Sequence, residues 1–157
     1  ASGTRAVDAA PLRSTLVETL DLSQQLHQHG ARNLLCWLEL FAGGETVSSD
    51  LVLFTRPKHL ELEEPGITMT VAAAADGAYR VTLATERPAL WAWCELAGAD
   101  FRATDNFVHL RPGAPVTLTV TPRIPLTQDE FVAQLRVNTL RDTYTDAHLL
   151  LATPAAV

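Results

Sequence analysis

The chain has 157 residues, 47% of them hydrophobic, and a formal net charge of −6 at pH 7. This length suits one ordinary domain or two small ones, and the apolar content is too high for a disordered chain. The negative charge, without a cluster of Lys or Arg, argues against nucleic acid as a partner. No apolar run approaches the roughly 20 residues that cross a bilayer. No signal peptide is visible, so we expect no membrane partner and a cytoplasmic location.

The predicted elements are mostly short strands, because apolar and polar residues alternate, or apolar residues run continuously, between turn residues. Two short helices are predicted at 22–28 and 128–134, the second opened by a capping box of Thr127 and Glu130. The predicted strands are 14–20, 33–40, 46–54, 60–62, 67–73, 79–85, 90–96, 106–110, 115–121 and 135–140. Their lengths and spacing predict an all-β fold, an antiparallel immunoglobulin-like β-sandwich.

The strands are distributed unevenly along the chain. Seven lie between Leu60 and Leu140, the number that an immunoglobulin-like domain needs. Only three or four come before them, so we expect part of a second, incomplete β-sandwich at 1–57, a terminal domain at 58–144 and a tail at 145–157. The only methionine is Met69, which also favours a piece of a longer protein.

An internal repeat supports this division. The run Leu-Leu-Cys-Trp-Leu-Glu-Leu at 34–40 resembles Leu-Trp-Ala-Trp-Cys-Glu-Leu at 90–96. Each run is followed by a glycine turn, a hydroxyl residue with Asp (Asp50 and Asp105) and Arg-Pro, at an offset of 55 or 56 residues. Cys36 and Cys94 occupy matching strands of the two copies, so we expect both thiols to be reduced and packed as small hydrophobes.

The stretch 104–113, Thr-Asp-Asn-Phe-Val-His-Leu-Arg-Pro-Gly, carries a family resemblance through Asp105, Asn106, Pro112 and Gly113. It resembles the Asp-Asn-Phe-Phe … Pro-Gly strand and turn near the C-terminus of β-mannosidases of glycoside hydrolase family two. Val108 replaces the second aromatic residue of that motif. The segments 33–40, 57–62, 79–83 and 135–144 also look like that family. The resemblance implies the end of a penultimate β-sandwich, a short link at 57–59 and then the terminal immunoglobulin-like domain.

The resemblance also implies what the parent protein does. Family members hydrolyse terminal β-mannosides with two glutamates at the mouth of a (β/α)₈ barrel. A barrel needs roughly 250 residues, and the chain contains no Asn-Glu dipeptide, the usual acid/base signature of the family. We therefore expect no catalytic residue and no cofactor, and a non-catalytic region that packs against other domains of the parent enzyme. The alternative is an autonomous carbohydrate-binding module that binds mannose-containing glycans.

Three tryptophans are the weak binding candidates: Trp37, Trp91 and Trp93. Strict alternation places Trp91 and Trp93 on one face of their strand, with Leu90, Ala92, Cys94 and Leu96 on the other. The pair then forms part of the core, or covers an interface with another domain, or stacks on sugar rings. Trp37 has the same three alternatives in the first copy.

Other candidate groups have plainer interpretations. Asp105 and Asn106 favour a turn, so we expect their side chains to brace a hairpin, with contact to a sugar as the alternative. His27 and His29 are not accompanied by further ligands at metal-binding spacing, so no metal site is expected. The acidic run at 61–64 ends in Pro65-Gly66 and is read as a solvated turn.

Overall fold

The computed structural model describes residues 2–8 and 10–144, and the chain forms two compact units, Ala1–Leu60 and Glu61–Val157. The predicted tail at 145–157 lies outside the described residues. Across the described ranges, no helix is long and apolar enough to cross a bilayer. Most of the elements are antiparallel strands, which confirms the predicted all-β class.

The first unit contains one helix and one hairpin. Its elements are α1 (Ser23–His29), β1 (Leu35–Ala42), β2 (Glu45–Leu53) and a 3₁₀ turn at Pro57–His59. Ala42 pairs with Glu45 across a two-residue turn in which Gly43 and Gly44 have φ of 61° and 87°. A turn of this kind needs a positive φ at both central positions, which glycine adopts without steric cost.

The predicted strand at 14–20 is wrong. The structure shows irregular backbone there, and Leu16 and Leu20 are 83% and 58% exposed. Alternating residues form a strand only where another strand supplies hydrogen bonds, and β1 and β2 pair only with each other among the described residues. Helix α1 is confirmed near its predicted position, with Asp21 accepting hydrogen bonds from the Ser23 N–H (2.9 Å) and hydroxyl (2.6 Å).

The second unit is a two-sheet sandwich. One sheet has the strand order β3-β4-β8-β6 and the other β7-β5-β9, with every pairing antiparallel. The strands are β3 (Thr68–Ala73), β4 (Tyr79–Ala84), β5 (Ala89–Leu96), β6 (Phe101–Ala103), β7 (Val108–Leu110), β8 (Val116–Pro122) and β9 (Leu135–Asn138). Four plus three antiparallel strands is the strand count of a constant-type immunoglobulin domain, and the predicted all-β sandwich is confirmed.

The core lies between the two sheets. It includes Val81 and Leu83 from β4, Leu118 and Val120 from β8, and Cys94 from β5, all at most 2% exposed. Helix α2 (Gln128–Gln134) closes one side of it through Phe131, which is fully buried and stacks on Tyr79 with ring centroids 4.1 Å apart. Alternating buried positions on β4 and β8 give their shared sheet one apolar face, and Ala92 and Cys94 of β5 supply buried positions from the other sheet. These two apolar faces explain why the sheets pack together.

Helix α2 begins and ends where the sequence predicts. The Thr127 hydroxyl accepts from the Glu130 N–H at 3.3 Å, and a Glu130 carboxylate oxygen accepts from the Thr127 N–H at 2.8 Å. The predicted capping box is therefore confirmed. The Thr127 N–H and hydroxyl both donate to the Glu130 carboxylate, and these two bonds hold the pKa of Glu130 below its usual value.

Two predicted strands, at 60–62 and 106–110, differ clearly from the structure. The strand at 60–62 is absent, and the strand at 106–110 is confined to Val108–Leu110. Strand β6, which the sequence did not predict, forms at Phe101–Ala103 by pairing with β8. Three residues are too few to produce a visible alternation, so its formation depends on the edge that β8 presents.

Candidate functional site

Strand β5 contains a bulge that decides which of its side chains enter the core. Ala89 pairs with Leu110 and Ala92 with Val108, so two residues of β5 oppose the single residue His109. As a result, Ala89 joins Ala92 in the core cluster, and Leu90 is buried outside that cluster. The prediction that Leu90 shares the face of Ala92 is wrong, because strict alternation ignores the extra residue.

Trp91 is the second residue of this bulge. Its φ of 48° lies in the left-handed region, which is uncommon for a bulky side chain. Its N–H donates to Nδ1 of His109 at 3.2 Å, and the two rings meet edge to face with centroids 5.0 Å apart. Trp91 is half-buried and outside the core cluster, so the core alternative does not apply to it.

Trp93 follows on the same strand and is also half-buried outside the core cluster. Its indole N–H donates to one carboxylate oxygen of Glu95 at 2.7 Å, and the Asn138 amide donates to the other at 3.2 Å. Asn138 lies opposite Trp93 on β9. These bonds hold the indole, the carboxylate and the amide together on the face of the β7-β5-β9 sheet opposite the core.

Phe107 completes this group and is a residue that the sequence interpretation did not select. Its ring stacks on Trp93 with centroids 5.7 Å apart and planes 23° apart, and it remains 57% exposed. Its φ of 62° is again in the left-handed region. A non-glycine residue in that region costs about 1–3 kcal/mol and often marks a functional position. We refer to Trp91, Trp93, Glu95, Phe107 and Asn138 as the aromatic face.

Asn106 holds the loop before β7 against β5. Its side-chain oxygen accepts from the Cys94 N–H at 2.8 Å, and its side-chain amide donates to the Cys94 carbonyl at 3.3 Å. Asp105 accepts from the Asn106 N–H at 2.7 Å. The side chain of Asn106 therefore replaces the backbone partner that β7 does not supply at this point, a geometry that agrees with the predicted brace.

Pro112 and Gly113 form the turn after β7. The Ala114 N–H donates to the Arg111 carbonyl at 3.3 Å, and Gly113 has a φ of 76°. Proline followed by a glycine at positive φ is typical of a type II turn. The remaining candidate, Trp37, is half-buried on β1 of the first unit, opposite Leu51.

A shallow depression of about 360 Å³ lies at the end of β5, next to the aromatic face. Glu95, Asp100 and Arg136 line it with charged groups, and Leu96 and Phe101 line it with apolar ones. Glu95 belongs to both the depression and the aromatic face. No sequence pattern pointed to Asp100 and Arg136, because Arg136 meets Glu95 only when β9 pairs with β5.

The other polar clusters provide no metal site. In residues 2–8 and 10–144, no three His, Cys, Asp or Glu side chains come close enough to hold a metal ion. Burial raises the pKa of the Cys94 thiol to about 11, so this thiol is neutral at physiological pH and packs as an apolar group. The aromatic face and its depression are thus the best-formed candidate site in the second unit.

Two family models match the chain. Residues 62–143 match the immunoglobulin-fold domain of mannosidases, and residues 1–59 match a mannosidase domain described as immunoglobulin- or carbohydrate-binding-module-like. The chain belongs to the mannosidase immunoglobulin-fold family. This membership confirms the resemblance carried by the motif at 104–113 and by the other matching segments.

A solved structure is similar to this mannosidase-family chain. It is the crystal structure of a β-D-mannosidase from Dictyoglomus thermophilum, with 20% sequence identity and a TM-score of 0.59. The match covers 69% of this chain but only 13% of the other, so the chain spans a small part of that protein's length. At this identity the likeness shows the fold. No curated protein sequence matches the chain.

Proposed function

We propose that the chain is the non-catalytic C-terminal β-sandwich region of a β-mannosidase that hydrolyses terminal β-D-mannose residues. The observation that carries this proposal is the pair of adjacent family matches, at 1–59 and 62–143, both to domains of mannosidases. The solved β-D-mannosidase whose fold is similar supports it. In this proposal, 58–144 is the terminal domain and 1–57 is the end of the preceding one.

The role of the region is to pack against other domains of the parent and to support its catalytic barrel. The first unit supplies the physical reason, because among its described residues only Leu60 is buried. Its hairpin carries apolar side chains that are 43–56% exposed, namely Leu38, Leu40, Phe41 and Val47. A two-stranded hairpin with exposed apolar residues is marginal in water and favours a covering partner.

Catalysis belongs to another part of the parent. A hydrolytic site with two carboxylates across a sugar needs a scaffold of barrel size, roughly 250 residues. The chain has 157 residues, divided between a unit with one hairpin and a unit with the two-sheet sandwich. We assign no catalytic residue to it.

Two assays test the proposal. The 157-residue chain is expected to release no nitrophenol from an aryl β-mannoside above a heat-killed control, whereas the longer polypeptide that carries it is expected to do so. In that longer polypeptide, Phe41→Asp is expected to lower the melting temperature. Arg13→Asp, at an exposed position outside the hairpin, is expected to leave it unchanged. Activity of the chain alone, or equal melting temperatures for the two variants, would contradict the proposal.

A further inference from the structure

We propose that the aromatic face and the adjoining depression form a binding site for the pyranose rings of a neutral hexosyl saccharide. The family matches assign no such site to the second unit. The choice of a mannose-containing ligand rests on the proposed function, whereas the site itself rests on the geometry of β5, β7 and β9.

The stacking surface is Phe107 on Trp93. Phe107 keeps 57% of its surface exposed although one side of its ring packs on the indole. The C–H bonds on the apolar face of a pyranose carry partial positive charge, and the face of an aromatic ring carries the negative part of its quadrupole. A sugar ring therefore matches the exposed ring of Phe107 in shape and in electrostatics.

The backbone at Phe107 is strained in a way that serves this surface. A φ of 62° favours glycine or asparagine over phenylalanine. The strained conformation coincides with the stacking on Trp93, and Phe107 itself lies outside the core cluster. Strained backbone conformations cluster at functional sites, so this one supports a binding role for Phe107.

Polar groups for sugar hydroxyls lie beside the stacked rings. An ionised carboxylate has about four lone-pair positions, and the bonds from Trp93 and Asn138 to Glu95 occupy two of them. Asp100 and Arg136 line the depression on the other side of Glu95. Hydroxyl groups both donate and accept hydrogen bonds, so a saccharide can satisfy the carboxylates and the guanidinium together.

The charges discriminate against other occupants. A phosphate or an acidic peptide would meet two carboxylates, Glu95 and Asp100, with only Arg136 to offset them. A protein domain closing over the depression would remove all three charges from water, which is costly unless each is paired. The volume of about 360 Å³ lies within the roughly 300–1,000 Å³ range of small-molecule sites.

The test is a titration of the 157-residue chain with β-1,4-mannotriose and with cellotriose, followed by tryptophan fluorescence. A Trp37→Phe background leaves Trp91 and Trp93 as the only reporters. Phe107→Asn removes the ring and suits the left-handed φ, so the fold is retained. Phe41→Asn is the matched control, because Phe41 is 55% exposed and lies in the first unit.

We expect a saturable fluorescence change with at least one trisaccharide. Phe107→Asn and Glu95→Gln are each expected to weaken binding about tenfold, and Phe41→Asn is expected to leave it unchanged. No saturable change with either sugar, or equal weakening by both asparagine variants, would overturn the proposal. Binding of cellotriose but not mannotriose would support the site and contradict the β-mannoside part of the proposed function.

A second measurement separates a sugar site from a domain interface. Acrylamide quenching of Trp91 and Trp93 is compared between the 157-residue chain and the longer polypeptide that carries it, both in the Trp37→Phe background. In the longer polypeptide, the other tryptophans are replaced. Equal quenching supports an open site. Loss of quenching in the longer polypeptide means that a protein domain covers the aromatic face, and this result would overturn the sugar site.

Discussion

The two copies of the internal repeat fold differently although their sequences are alike. In the first copy, β1 is followed by one continuous nine-residue strand, β2, and the two form a hairpin. In the second copy, the stretch after β5 is divided: β6 pairs with β8 in one sheet, and β7 returns to pair with β5 in the other. The same pattern gives a hairpin in the first unit, whose described residues form no second sheet. In the second unit, β8 offers a free edge, and the stretch is divided between two sheets.

The difference extends to the surroundings of residues that match in the repeat. Trp37 and Trp93 match in the repeat, as do Asp50 and Asp105, and each aspartate accepts a hydrogen bond from the next residue's N–H. Asp50 lies within β2 opposite Leu38, however, whereas Asp105 lies in the loop between β6 and β7. The same local hydrogen bond thus occurs in both copies, in different surroundings. Variants at the matched positions measure how much the surroundings contribute to stability.

The largest expected contrast is between two phenylalanines. Phe131→Ala is expected to lower the free energy of unfolding of the second unit by about 3–5 kcal/mol, because its ring is fully buried against Tyr79. Phe41→Ala is expected to change stability by no more than about 0.5 kcal/mol, because that ring is exposed. Urea unfolding measures both, and similar losses would contradict the description of the first unit as lacking a core.

The next largest effect on stability is expected at Asn106, whose side-chain hydrogen bonds to Cys94 have no counterpart among the described residues of the first copy. Asn106→Ala leaves the N–H and carbonyl of Cys94 without their side-chain partner and is expected to cost about 1–3 kcal/mol. Asn106→Asp keeps the acceptor for the N–H but places a carboxylate oxygen against the Cys94 carbonyl, so a loss of stability is expected there too. Thermal melting of both variants decides this, and an unchanged melting temperature for the alanine variant would refute the brace.

A smaller effect is expected for the matched aspartates. Asp105→Ala removes the bond to the Asn106 N–H at 2.7 Å, and Asp50→Ala removes the equivalent bond to Leu51 at 2.8 Å. We expect about 1 kcal/mol for Asp105, because the loop has no other bond at that N–H, and less for Asp50 within its paired strand. Thermal melting that shows a larger loss of stability for Asp50→Ala than for Asp105→Ala would contradict this expectation.

The smallest effect is chemical and separates the two cysteines. Cys94 is 1% exposed and Cys36 is half-buried. A thiol reagent is expected to modify Cys36 in the folded chain and Cys94 only after unfolding. Modification of Cys94 in the native state at the rate of Cys36 would show that β5 opens readily.

The raised pKa of Cys94 also predicts a pH dependence. The thiol ionises near 9.0 in the unfolded chain and near 11 in the folded one. Its contribution to stability is therefore constant below pH 9 and is lost as the pH rises from about 9 to about 11. Cys94→Ala is expected to flatten the stability curve in that window relative to the parent chain, and identical curves would show that the thiol is not desolvated.

Local sequence determined where one helix begins and where two turns form. The capping box set the start of α2, the two glycines set the hairpin turn of β1 and β2, and Pro112-Gly113 set the turn after β7. These signals need only neighbouring backbone groups. Period-2 alternation likewise identified most strands of the sandwich, because a half-buried strand carries its own pattern.

Tertiary structure decided the features that depend on a pairing strand. Segment 14–20 has a strand pattern but no strand to pair with, and Phe101–Ala103 has almost no pattern but gains β8. The bulge at Trp91 changed which side chains of β5 face the core. The pairing of β9 with β5 brought Asn138 to Trp93 and Glu95. Hydrogen bonds across a sheet join residues far apart in the chain, so the site they form cannot be read from local sequence alone.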